Sequence, residues 1–284
     1  MNQLKTIALL GALSALLIGL GGYVAPGTLY LFVGLAAVLN LGAYFFSDRI
    51  VLRLHAARPI GRAEAPGLHD MVAELAGRAG IPAPRLYLIP SPHANAFATG
   101  RNPERGVVAV TQGILETLTA RELRGVIAHE IAHIRNRDVL VASVAATVAA
   151  AVGSLGNMLQ WTVIFGGGQQ QDRGSQAGGL LAALVAPFAA TLLQLAVSRA
   201  REYGADATAA RLTGDPDALA RALARLSAAA AREPEPDMEP ATASLFIVSP
   251  FAGGGTLLSW FSTHPPVRER IRRLREMQPS RFAA

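Results

Sequence analysis

No cysteine occurs among the 284 residues, which excludes disulfide bridges, thiol catalysis and cysteine-based metal sites. This agrees with a reducing compartment. Charge is scarce as well: 16% of the residues are charged against 51% hydrophobic, too apolar for an average soluble domain. No ATPase motif is present, so any dependence on ATP would need a partner protein of unknown identity, and no internal repeat is evident. The missing charge is concentrated in four runs without Asp, Glu, Lys or Arg, at residues 7–25, 27–46, 139–165 and 177–197. Each is long enough as a helix to cross a hydrocarbon core of about 30 Å. Pro187 is expected to kink the last, and Ala149 with Gly153 gives the third a small-residue spacing suited to close helix contact. The first run can also be read as a cleaved signal peptide, but Tyr23 and Ala25 make a poor cleavage site and a second run follows at once.

The arginines orient these runs. Arg49, Arg53, Arg58 and Arg62 follow the second, Arg135 and Arg137 precede the third, and Arg199 and Arg201 follow the fourth, whereas residues 21–28 carry no charge. Both termini are therefore expected in the cytoplasm. The net charge of +6 is mostly this juxtamembrane arginine, suited to anionic lipid, and needs no nucleic-acid partner. The expected organisation is two spans in residues 1–47, a first soluble piece in 48–138, two further spans in 139–197, and a second soluble piece in 198–284.

What the chain does have is HEIAH at residues 129–133. On a helix, positions i and i+4 share a face, so His129 and His133 can offer two imidazole nitrogens to one Zn²⁺. Glu130 projects beside that face, placed to take a proton from a metal-activated water. Thr119 and Glu122 fit a capping box, and Leu123, Val126, Ile127, Ile131 and Ile134 recur at helical spacing, with Gly125 as the weak position. An HExxH pentapeptide also arises by chance, in roughly one per cent of chains this long. Support has to come from a third ligand. The extended HExxHxxGxxH pattern fails, because Asn136 and Val139 stand where its glycine and histidine belong. SRAREYGAD supplies Glu202 as the third ligand and, one turn later, Asp206 to orient a ligand imidazole through its other nitrogen. The plainer readings are a surface ion pair of Glu202 with Arg199 or Arg201 and a solvated Asp206. The ligand helices are expected to be continuations of the third and fourth spans.

Around the site, residues 65–79 read as an amphipathic helix, and residues 85–89, 94–99 and 106–110 as a small antiparallel sheet whose edge is free to receive an extended substrate as an added strand. Asp215 and Pro216 open a further helix, and residues 233–240 are a proline-rich linker. His55, His69 and His93 have no ligand spacing and are read as structural or surface groups. His264, in THPP, either donates a hydrogen bond to a developing oxyanion or packs at the start of a helix over residues 267–277.

HEIAH, REYGAD, NAFATG, STHPP and the four apolar runs, in this order, resemble the HtpX-type membrane zinc peptidases over nearly the whole chain. The resemblance implies a mainly α integral membrane protein, with four transmembrane helices and a split zincin-like (gluzincin) catalytic domain. It implies one Zn²⁺ held by His129, His133 and Glu202, Glu130 as acid and base, and a groove bordered by residues 95–100, including Asn95, Ala96 and Phe97. It also implies a bacterial inner-membrane setting, a cytoplasmic active site, and unfolded or damaged membrane proteins as substrates. A type I prenyl protease that trims C-a-a-X proteins is the related alternative. A membrane scaffold without catalysis is the alternative of another class.

Overall fold

The computed structural model describes residues 4, 6–8, 10–15, 18, 29–148, 199–232, 242, 245–247 and 265–277. The fourth apolar run, most of the third, the linker at 233–240 and His264 lie outside the described residues. Helix α1, Leu29–Leu54, takes in residues 29–46 of the second run and continues past it through Asp48, Arg49 and Arg53. Among the described residues only its Tyr30–Leu54 stretch is long and apolar enough to cross a membrane. Tyr30, Leu31, Val38 and Leu41 stand exposed along it, whereas Val51 and Leu52 at its end are buried.

Four strands follow: β1 (Arg58–Pro59), β2 (Arg85–Ile89), β3 (Ala96–Thr99) and β4 (Val107–Thr111), in the sheet order β1-β2-β4-β3. The expected antiparallel sheet is corrected here to a mixed one. β3 and β4 form a hairpin, Ala96 opposite Val110, but β4 then lies beside β2 in parallel, Arg85 opposite Val107. Alternating sequence identifies strands; it does not say which become neighbours. The alternation divides the sheet between two cores. Ala96, Ala98, Val108 and Val110 face the helical layer, and Phe97, Val107 and Ala109 pack with Val51 and Leu52 of α1 and with Phe246. The end of the apolar helix is thus bound directly to the sheet.

The helical layer comprises α2 (Pro66–Ala79), the short α3 (Gln112–Thr117), α4 (Ala120–Arg135), α5 (Asp138–Val148), α6 (Arg199–Thr213), α7 (Pro216–Arg232) and α8 (Val267–Glu276). Asp215 caps α7 through the Ala218 amide at 3.2 Å, as its sequence predicts. One expectation fails at the HEIAH helix: α4 does not run on into the third apolar run. It stops at Asn136, Arg137 takes a left-handed conformation with φ of 58°, and α5 starts afresh at Asp138.

α4 is packed against α2, α6 and α7, and Gly125 makes the last of these contacts possible. A Cβ at Gly125 would lie 2.8 Å from the Leu219 amide nitrogen of α7. The residue that weakens the helix in sequence terms is therefore required by the close backbone approach. Gly125→Ala is expected to lose about 1–3 kcal/mol of stability by overpacking. Gly77→Ala, in α2 with no atom near its added carbon, is expected to gain about 0.5–1 kcal/mol. Denaturant unfolding of both variants measures the contrast.

Candidate metal centre

The capping box at the start of α4 is complete: Thr119 N–H donates to Glu122 Oε2 at 3.0 Å, and the Glu122 amide donates to Thr119 Oγ1 at 3.3 Å. This starts the helix in the frame that turns His129 and His133 towards α6. Their Nε2 atoms lie 3.1 Å apart, with the rings at right angles. Glu202, one turn into α6, brings Oε1 to 3.3 Å from His133 Nε2 and Oε2 to 3.7 Å from His129 Nε2. Ligand atoms about 2.0–2.1 Å from one tetrahedral ion are roughly 3.3 Å apart. The three spacings fit a zinc ion, and the two nitrogens and one carboxylate oxygen are a donor set that leaves a coordination position for solvent.

Each imidazole is held through its second nitrogen. His129 Nδ1 is 2.9 Å from Asp206 Oδ1, and His133 Nδ1 is 3.2 Å from Asp138 Oδ2. Asp206 in turn receives a two-pronged pair of hydrogen bonds from Arg270 of α8, Nε to Oδ2 at 2.9 Å and Nη2 to Oδ1 at 2.7 Å. Arg270 has no solvent exposure at all and also donates through Nη1 to the Ile247 carbonyl at 3.0 Å.

Burial sets the proton affinities. Desolvation, reinforced by the charges of Arg270 and His133, lowers His129 to about 4 against the pull of Asp206. It raises Glu130 to about 8, with Glu202 adding to the effect and His133, Arg270 and a hydrogen bond to the Ala98 backbone opposing it. His133 goes the other way: burial disfavours its charge, but Glu202, the Asp138 hydrogen bond and Glu130 together raise it to about 10. Asp206 falls to about 2, because Arg270 outweighs its burial. Without a metal at neutral pH, protons on His133 and Glu130 therefore leave two positive groups, His133 and Arg270, facing the carboxylates of Glu202 and Asp206.

Asn95, Ala96 and Phe97 lie on the sheet side of the site. Asn95 accepts from the Ala96 amide and donates its own amide to Thr111 Oγ1, while Phe97 packs edge-on against Phe246 with centroids 5.3 Å apart. The side chains of Ala96 and Phe97 are fully buried, so any contact they make with a substrate falls to backbone atoms. The expectation of a wholly free sheet edge is corrected at two points: the Ile247 amide donates to the Ala96 carbonyl at 3.2 Å, and the Ala98 backbone is engaged by the Glu130 carboxyl group.

Residues 62–278 match peptidase family M48. The chain belongs to that family. A Protease HtpX homolog of Syntrophobacter fumaroxidans is 50% identical over 97% of this chain and 99% of its own length. Those of Persephonella marina and Nostoc punctiforme are 49% and 50% identical, each over 98% of this chain and at least 96% of their own length. The crystal structure of S. mikatae Ste24p is 21% identical, with a TM-score of 0.49 over 90% of this chain and 64% of that one. This M48 peptidase is thus an HtpX-type membrane metalloprotease with zinc as its cofactor.

Sequence reasoning missed Asp138 and Arg270 in this peptidase. For Arg270 a signal exists: in VRERIRRLRE it is the arginine in phase with Val267 and Leu274, on the face that must be buried. For Asp138 there is none, because its place depends on a helix break after His133.

Two outcomes follow for the metal centre. Zinc loading at pH 7 is expected to release about two protons, from His133 and Glu130, since a ligand imidazole and a neighbouring carboxylate must give up theirs. Both groups hold their protons below their raised values, so zinc affinity should fall as pH drops; calorimetry in buffers of different ionisation enthalpy counts the protons. Arg270→Met is expected to lose about 3–5 kcal/mol, because Asp206 is left buried without the cation that balances its charge. A thermal melt of the zinc-free protein measures that loss.

Proposed function

We propose that this chain is a zinc endopeptidase of the bacterial inner membrane that cleaves unfolded or damaged membrane proteins, with His129, His133 and Glu202 as its metal ligands and Glu130 as its acid and base. The observation that carries this reading is the 3.1 Å approach of the two imidazole Nε2 atoms with the Glu202 carboxylate facing both, and Glu130 beside them. When bound, zinc supplies Lewis acidity towards the scissile carbonyl and the attacking water. Glu130 takes the proton of that water and passes it to the leaving amine. Its carboxyl group meets the Ala98 backbone of β3, which sets the base beside that strand, and an extended substrate lies along the edge positions that Glu130 and Ile247 leave open. Asn95, Ala96 and Phe97 border this groove, and His264 donates to the carbonyl oxygen as charge develops there.

The remaining topology is proposed with it: spans at residues 7–25, 27–46, 139–165 and 177–197, both termini and the active site in the cytoplasm, and the soluble pieces 48–138 and 198–284 folded on one another. Supporting this are the flanking arginines and the way α1 ends within the sheet core while α5 starts five residues after His133. The lipid bilayer and its protein cargo are the partners; an ATP-dependent partner has no support in the residues.

Glu130→Gln is expected to keep its zinc and lose roughly 10²–10⁴-fold in cleavage of casein or an unfolded membrane protein. Metal analysis and a cleavage assay on the same preparation check it; retained cleavage by a zinc-loaded variant would remove Glu130 from the mechanism.

A further inference from the structure

We infer that Asp138 is a positioning residue for His133 and that the break between α4 and α5 exists to deliver it. On an unbroken helix the residue one turn beyond His133 is Arg137, and residue 138 points roughly 140° away from that face. Asp138 instead sits with Oδ2 3.2 Å from His133 Nδ1, because Arg137 turns the chain with φ of 58°. A left-handed arginine costs about 1–2 kcal/mol relative to a helical one. The fold keeps that cost where a simple continuation into an apolar helix was available.

The surroundings fix the carboxylate. Asp138 is 7% exposed, and Arg201 Nε, next to Glu202 on α6, stands 3.8 Å from its Oδ1. Asp138 is also the first residue of α5, which buries Val139, Val141, Val144 and Ala145 and is pinned to β3 by the Thr99–Ser143 hydroxyl pair at 2.7 Å. The two imidazoles are therefore oriented from different sides. His129 takes its partner from α6 under the hold of Arg270; His133 takes its partner from the helix that leads into the third apolar run. An acceptor on Nδ1–H fixes the tautomer that leaves Nε2 free for a metal and raises its basicity.

This inference rests on His133 being a metal ligand, and the experiment separates the two. Full-length protein is purified as Asp138→Asn, which keeps an acceptor oxygen and the volume but loses the charge, as Asp138→Ala, which loses both, and as His133→Ala. Zinc affinity is read by competition with a chromogenic chelator, and the ligand field by the visible spectrum of the cobalt-loaded protein. The expected result is affinity lower by about 10-fold for Asp138→Asn and about 100-fold for Asp138→Ala, with an altered cobalt spectrum in both. Wild-type affinity and spectrum in both Asp138 variants, even with lowered thermal stability, would overturn the inference. In that event a metal-deficient His133→Ala leaves the ligand assignment standing, whereas His133→Ala with wild-type affinity removes both.

Discussion

The constraint on which this structure depends is electrical neutrality in a place largely withdrawn from bulk water. His129, Glu130, Glu202, Asp206 and Arg270 are all buried, and an isolated charge in such surroundings costs far more than any single contact repays. The protein meets this by pairing. Arg270 lies against Asp206 and near Glu202, and the remaining negative charge is matched either by protons on His133 and Glu130 or by a divalent cation in their place. Exchange between these two balanced states couples proton release to metal binding. On the proposed assignment, the carboxylate of Glu130, protonated when the site is empty, is freed to serve as the base once it is filled.

The same constraint explains why α8 is held against the helices that carry the candidate ligands. α8 is a strongly amphipathic ten-residue helix in which arginine is the commonest residue, and such a segment could lie on any acidic surface. Its position is set by the one arginine that points inward. Arg270 joins three parts distant in sequence, through Asp206 of α6, the Ile247 carbonyl and the imidazole of His129, while Leu274 fills the apolar core one turn later. Ile247 then donates to Ala96, so the hydrogen-bonded path runs from Asp206, the carboxylate behind His129, to the edge of the sheet. Metal site and sheet edge are held by one network, which fixes their mutual geometry more firmly than helix packing alone.

Much of this was legible in the residues, and what was not has specific causes. The spacing of His129 and His133, the capping box at Thr119 and the Glu202–Asp206 pair are local patterns on single helices, where an i, i+4 rule carries all the information needed. The juxtaposition of α4 and α6 followed from the chemistry, since two imidazoles need a third ligand. The mixed sheet was illegible because β2 and β4 pair across the intervening β3, and nothing in an alternating run records its neighbour. Asp138 was illegible because its position depends on one backbone angle at Arg137, a residue type with no preference for the left-handed region. The close approach at Gly125 was visible only as a fault in a good helix.

Breaks and close approaches of this kind decide how the site relates to the apolar helices. A ligand helix continuous with a membrane span would pass every tilt of that span to the metal as a rigid rod. At α4 the connection is a two-residue turn supported by side-chain contacts instead. α1 delivers Val51 and Leu52 into the core behind Phe97, and α5 approaches His133 with a carboxylate after a turn. Contacts of this sort fix position through packing and hydrogen bonds, and the turn at Arg137 leaves α5 free to take its own direction away from α4. The metal centre can then keep the precision that ligand spacings near 3.3 Å demand, whatever direction the apolar helices take.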